Sequence, residues 1–351
     1  MKYSNIVFLI SSKTSIGVLE SQVLKFANHI AINYDFKVKV VLCGDEIFFD
    51  KNSYSNKLEF HYLNKTIFIQ EIKKCKVYIR TIDIFLKKYL QLKIQKNYLI
   101  YDFRALLFVE SFSRRRNYLV STLIFMLEMT TYLLANQVSC VSENLKNSLL
   151  KFFRLYKNIH VFPCLVSGSK LTKKSTRSSE SMDYNFVYLG SISEWQKFDK
   201  AVNLYKDYSK NNNSSFTVIT NDKQKALQIL KKKGVVGKIL SLNNNEVLNE
   251  LKKYDFGFLL RDVNLLNYVA SPIKYLEYLA CGVIPIMNIG IGDYSKDALS
   301  NNIAIVLKNN KKLIKSDLSK LFNDTSYFSR VNNYYKSFDY DENVKRHPLI
   351  N

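Results

Sequence analysis

Residues 271–287, Ser-Pro-Ile-Lys-Tyr-Leu-Glu-Tyr-Leu-Ala-Cys-Gly-Val-Ile-Pro-Ile-Met, hold a helix start, a cation, a carboxylate and a strand in close succession. Ser271 is a good N-cap residue, and Pro272 suits the first helical position, where its missing N–H costs nothing. Gly282 fits the left-handed residue that ends a helix, and Val283 to Met287 reads as a buried strand. Lys274 then stands in the first turn, beside free backbone N–H groups and the positive end of the helix dipole, which makes an anion site. Glu277 shares its face, roughly 4.5 Å further along at about 1.5 Å per residue. A carboxylate there could accept both hydroxyls of a ribose whose diphosphate rests at the helix tip. The same spacing also suits a plain Lys274–Glu277 ion pair worth a few tenths of a kcal/mol, and spacing alone leaves both readings open.

Other segments carry groups of the same kind. The first strand runs into Ser12-Lys13-Thr14-Ser15-Ile16-Gly17 before a helix. Small residues and Gly17 at such a turn let backbone N–H groups approach a phosphate or a sugar. The chain has neither G-x-G-x-x-G nor G-x-x-x-x-G-K-[ST], so no dinucleotide fingerprint and no P-loop is expected. Arg261 closes the run Phe256–Leu260, and a guanidinium matches phosphate oxygens well. Asp102 and Arg104 end another apolar run, in a place that suits either chemistry or a structural ion pair. Asp339-Tyr340-Asp341 is a D-x-D outside any strand–loop context and reads as a decoy. The four histidines show no metal-ligand spacing, so no metal is expected.

The 271–287 string resembles the signature S-P-x-K-x-x-E-Y-L-A-C-G-x-x-P-I of GT-B glycosyltransferases of the family 4 type, closest to bacterial enzymes that build capsular or lipopolysaccharide chains. The resemblance implies a nucleotide-sugar co-substrate, no dedicated metal and transfer with retention of configuration. It implies donor-binding roles for Gly17, Gly190, Lys197, Arg261, Ser271, Lys274 and Glu277, with Lys274 on the diphosphate and Glu277 on the ribose. It also gives Asp102 and Arg104 catalytic roles, because Asp102-Phe103-Arg104 resembles the D-x-R-G of the capsular subgroup, with Ala105 in place of glycine. Two positions depart from the family pattern. Ser191 follows Gly190 where an arginine is usual, and Val269 stands where the first of two glutamates is usual. Arg261 is placed to supply the charge lost at Ser191.

The 351 residues suffice for two domains, and 47% hydrophobic with 23% charged content describes a globular chain. Lys and Arg number 52 against 30 Asp and Glu, a formal charge of +22 that favours anionic partners: nucleotide phosphates, anionic lipid or nucleic acid. No nucleic-acid recognition pattern accompanies it, so nucleic acid is not expected as a partner. Five scattered cysteines without C-x-x-C imply free thiols and a reducing, cytoplasmic setting. Tyr118 to Val138 is apolar but carries Glu128, which is costly inside a bilayer. It reads as part of an amphipathic or core helix over Ser113–Ala135. Arg114 to Arg116 beside it suit docking on an anionic membrane surface.

Alternation of β-branched runs with helical stretches predicts an α/β chain of two Rossmann-like doubly wound domains, which the resemblance sets facing a cleft as GT-B. The expected divisions are an acceptor-side domain over 1–166, a serine-rich linker over 167–182 and a nucleotide-sugar-binding domain over 183–326. A C-terminal helical segment, 327–351, crosses back to the first domain in proteins of the resembled kind. The functional reading is a glycosyltransferase acting on a polysaccharide or lipid-linked acceptor at the inner face of the membrane. The alternative is a non-catalytic nucleotide-sugar or glycan-binding subunit on the same fold.

Overall fold

The computed structural model describes residues 3–44, 49–63, 72–166, 171–173, 183–308 and 312–351. The strand expected at 66–70 and most of the linker expected at 167–182 lie outside the described residues. The chain divides into two units: residues up to Cys164 with Tyr340–Asn351, and Leu165–Asp339.

The first unit is built on a parallel sheet of β1 (Asn5–Ser11), β2 (Lys37–Cys43), β3 (Leu58–Leu63), β4 (Lys76–Ile79), β5 (Tyr98–Phe103), β6 (Gln137–Cys140) and β7 (Ile159–Val161). Their spatial order is β3-β2-β1-β4-β5-β6-β7. Ile6 to Leu9 pair with Lys76 to Ile79 on one side, and all of β1 pairs with β2 on the other. Ile6, Phe8, Val40, Val77 and Ile100 have no exposed surface, as continuous apolar strands require when helices cover both faces. The second unit repeats the plan with β8 (Tyr184–Leu189), β9 (Ser214–Ile219), β10 (Lys238–Leu240), β11 (Phe256–Leu259), β12 (Ile284–Asn288) and β13 (Ile305–Leu307), ordered β10-β9-β8-β11-β12-β13. Each order reverses direction once, between β1 and β4 and between β8 and β11. Ligands in open α/β sheets bind outside the carboxyl ends of the strands at that switch point.

Several helices differ from expectation. The single helix expected over Ser113–Ala135 is two, Leu107–Arg115 and Tyr118–Leu134. Arg116 between them is left-handed at φ 49°, and the Asn117 side chain accepts from the Val120 N–H at 3.1 Å, which ends one helix and caps the next. The helix after β8 begins at Phe198, after a 3₁₀ turn over Glu194–Gln196. The helix Ile82–Ile94 and strand β3 lie outside the elements expected from the sequence.

The division expected at 326/327 falls inside the second unit, where the hydroxyl of Tyr327 donates to the Ile303 carbonyl at 3.1 Å and that of Tyr334 to Asp297 at 3.1 Å. From Tyr340 on, the chain belongs to the first unit. His347 is buried among Phe26, Tyr78 and Phe162, and Lys76 donates to the carbonyls of Pro348 and Leu349. Asp341 of the D-x-D lies 3.5 Å from His29, so it helps seat this tail.

Candidate functional site

In the second unit, the helix Ile273–Ala280 is pinned to the switch point by Tyr278. Its hydroxyl accepts from the Leu189 N–H at the end of β8 and donates to the Phe258 carbonyl of β11, both at 3.2 Å. Its ring lies flat on Gly257, where any Cβ would collide with it. The helix N-cap is Pro272, without a side-chain cap, so the capping role expected of Ser271 is not taken. The Ser271 hydroxyl instead meets the Tyr294 hydroxyl at 2.8 Å.

This anchoring lays Lys274 across the turn that follows β8. Gly190 there has φ +137°, and a Cβ on it would overlap the Lys274 ammonium. Two sequence motifs 84 positions apart thus meet at one point, with glycine needed for both its dihedral and the close approach. Lys274 donates to the Gln196 side-chain carbonyl, and the Gln196 amide donates to the Ser191 hydroxyl at 2.7 Å. Ser191, where the family pattern has an arginine, is therefore part of the support under Lys274.

Arg261 follows β11, on the other side of the switch point. It is 8% exposed, its guanidinium lies over the Trp195 ring at 4.1 Å, and its backbone N–H is held by the Asn288 side chain at 2.9 Å. Its Nη1 is buried without a hydrogen-bond partner. A buried guanidinium with an unused donor is costly unless an anion completes it.

Burial lowers Arg261 to about 10. Burial, followed by the Arg261 charge, pushes Lys274 down to about 7 against the opposing pull of Glu277. Two cations crowded into low dielectric raise each other's cost, and an added dianion relieves it. Lys197, left-handed at φ 49°, pairs with Asp262 at 2.9 Å. A cavity of about 420 Å³ opens here, lined by Lys197, Arg261, Asp262, Asn288, Ile289 and Leu307 among others. That is within the range of small-ligand sites. Val269 is fully buried, so this position is part of the core.

In the first unit, Arg80 follows β4 as Arg261 follows β11. Asp102, at the end of β5, has no exposed surface. One carboxylate oxygen accepts from Ser139 at 2.7 Å, and the other from Tyr78 and Arg104, with Arg80 at 3.8 Å. Burial alone would raise this carboxyl, but Arg104, Arg80 and the Tyr78 and Ser139 hydrogen bonds hold it below the usual range. Arg104 also donates to the Tyr78 hydroxyl at 3.1 Å and to the Cys164 sulfur at 3.5 Å. The carboxylate is enclosed, with both oxygens engaged by Ser139, Tyr78 and Arg104, an arrangement that suits a structural ion pair as well as the catalytic roles expected of Asp102 and Arg104. Gly17 lies in the short helix Ile16–Val18 that follows the turn after β1, one step past the loop expected for it, and a Cβ there would meet nothing within 4 Å. Among the described residues no cluster of His, Cys, Asp and Glu could hold a metal ion.

No family model and no curated protein sequence matches the chain. Solved structures do match over nearly its whole length. HepE of Anabaena in complex with UDP superposes with a TM-score of 0.68 at 11% identity, over 97% of this chain and 98% of that one. An alpha-glucosyltransferase in complex with UDP-glucose and DNA containing an abasic site gives 0.63 at 18% identity, over 96% and 95%. WaaG, a glycosyltransferase involved in lipopolysaccharide biosynthesis, gives 0.60 at 11% identity, over 97% and 98%. The fold is GT-B.

Within this GT-B chain the sequence motifs did not reveal Gln196, Trp195 and Asn288. Trp195 is the chain's one tryptophan, which was the available signal. Nothing local marked Gln196 or Asn288, because their roles exist only once β8, β11 and β12 lie side by side.

Proposed function

We propose that this protein is a glycosyltransferase that uses a nucleoside-diphosphate sugar, a hexosyl donor, held in the second unit. The observation that carries the reading is the pair Lys274 and Arg261 at the β8/β11 switch point, with Arg261 Nη1 buried and unpartnered. On transfer, the bond from the sugar's anomeric carbon to the diphosphate oxygen breaks and its electron pair stays on the diphosphate. Lys274 and Arg261 stabilise that charge from preorganised positions, a role that needs no metal. Glu277, one turn below Lys274, takes the ribose hydroxyls, Gly190 gives the diphosphate room, and Lys197 adds to the field with Asp262 as its counter-ion. Ser271 shapes the start of the helix through Tyr294. The acceptor is a growing capsular or lipopolysaccharide chain, or its lipid-linked precursor, and configuration is retained; both follow from the signature at 271–287, and WaaG among the similar structures supports the first.

Calorimetry of UDP and of uridine with the wild type and Arg261→Ala tests the reading. UDP affinity should fall by about 2 kcal/mol, the scale of a hydrogen bond to a charged group, while uridine binding stays unchanged. Equal losses for the two ligands would remove Arg261 from the phosphates. The buried Val269 and enclosed Asp102 favour one alternative, a donor-binding subunit without transfer. Release of free sugar from UDP-sugars by the wild type would exclude it.

A further inference from the structure

The helix Tyr118–Leu134 has its amphipathicity reversed. Its inward face is largely polar: Ser121, Glu128 and Thr131 are buried beside Tyr132, and the Glu128 carboxylate accepts the backbone N–H groups of Leu107 and Phe108 at 2.9 and 3.0 Å. Its outward face is apolar. Leu119 is 84% exposed, and Leu123, Met126 and Leu133 are each more than half exposed, at spacings of three, four and seven that place them on one stripe. An amphipathic or core helix, as expected from the sequence, would bury these residues instead. A Glu128 committed to capping the preceding helix fixes which side turns inward. The neighbouring helix Ile82–Ile94 adds Leu90 and Ile94, 72% and 80% exposed. Between the helix Tyr118–Leu134 and Leu107–Arg115 runs an apolar groove of about 320 Å³, lined by Phe108, Val109, Phe112, Tyr118 and Phe125 among others. Contiguous exposed apolar surface of this extent marks an interaction face.

Charge selects the occupant. From 82 to 157 the chain carries twelve Lys and Arg against five Asp and Glu, and of those five Asp102 and Glu128 are buried. Arg114 and Arg116 are exposed at one end of the stripe. Glu110, the acid nearest them in sequence, is paired with Arg114. At the other end Lys157 donates to the last carbonyls of the helix, and Lys93 to Asn136. An apolar stripe bracketed by cations, with no charge on the stripe itself, fits the headgroup–acyl boundary of an anionic bilayer. Two copies of the chain meeting there would instead face like charge with like. No helix among the described residues is long and apolar enough to cross a membrane, so the contact is along the surface.

We propose that the 118–134 stripe, with Leu90 and Ile94, is a docking surface for anionic lipid bilayers. The inference stands on this surface alone and does not depend on sugar transfer. Co-sedimentation of the full chain with vesicles of phosphatidylcholine containing one-third phosphatidylglycerol, and with pure phosphatidylcholine, tests it. Two variants are compared: Leu123→Ser/Met126→Ser, and Arg114→Gln/Arg116→Asn, Asn being chosen because it tolerates the left-handed backbone. Melting temperature and UDP binding serve as folding controls, since every substituted side chain is exposed. Anionic vesicles should bind the wild type far better than neutral ones. Partitioning should fall about fivefold for each arginine lost, and tenfold or more for the apolar double variant. Binding unchanged in the apolar variant would overturn the proposal, because the charge would then be adsorbing elsewhere. A vesicle-independent dimer that the apolar variant dissociates, with no vesicle binding, would also overturn it and give the face to a second copy.

Discussion

Binding of a nucleoside diphosphate should draw a proton from solution, and Lys274 should be the group that takes it. Burial beside Arg261 holds this lysine at about 7, so at pH 8 about 0.9 of it is neutral before ligand arrives. A terminal phosphate with a second pKa near 6 is already ionised at that pH, so the ligand neither supplies nor needs the proton. Once the dianion is against Nζ, the charged form is favoured and Lys274 reprotonates. Uptake should therefore be about 0.9 protons at pH 8 and about 0.4 at pH 7, and affinity should fall about fivefold from pH 7 to 8 and about ninefold from pH 8 to 9. Calorimetry in Tris and in Hepes at each pH reads the uptake from the difference in buffer ionisation heat. Uridine, lacking phosphates, should take up none. Uptake below about 0.2 at pH 8, or uptake that persists in Lys274→Met, would refute the placement of the diphosphate on Lys274. The stability sign follows from the same lowered proton affinity. Between pH 7 and 10.5 the unfolded chain binds the proton that the folded one lacks, so this group's contribution to stability rises with pH. Lys274→Met should thus melt higher than the wild type below pH 7, and the gap should close toward pH 10. The gap is bounded at about 4–5 kcal/mol, because each tenfold loss of proton affinity on folding costs about 1.4 kcal/mol.

Gly190→Ala places a Cβ against Lys274 and Gln196 at a backbone angle that side chains avoid. It should lose about 1–3 kcal/mol of stability and most UDP affinity, and wild-type melting with wild-type binding would contradict the close approach. Asp102→Asn leaves Arg80 and Arg104 buried without their counter-charge, so chemical denaturation should show a loss of about 3–5 kcal/mol. A fully stable variant would return Asp102 to a role at the substrate. Glu277→Gln should weaken UDP binding by roughly 1–3 kcal/mol with little change in melting, and unchanged calorimetric affinity would remove it from the ribose.

The sequence by itself determined the two α/β units, because a strand covered on both faces must be apolar throughout, and such runs at β1, β5, β8 and β11 are visible without any partner. It also determined Lys274 as a candidate, since a helix start is a local feature, while Gly190 became one through the resemblance. Only the tertiary structure decided what these residues do to each other. Gly190 is needed because Lys274 arrives from 84 positions away, and Gln196, Trp195 and Asn288 acquire roles only where β8, β11 and β12 become neighbours. The case of Asp102 is the converse. Its motif was local, but Ser139, Tyr78, Arg80 and Arg104 converge on it from three strands and use both oxygens. The helix Tyr118–Leu134 shows the limit most clearly. Hydropathy counts apolar residues but carries no direction, and the side that turns inward is the one whose polar groups find long-range partners, Glu128 on the N–H groups of Leu107 and Phe108 and Tyr132 on the Leu155 carbonyl.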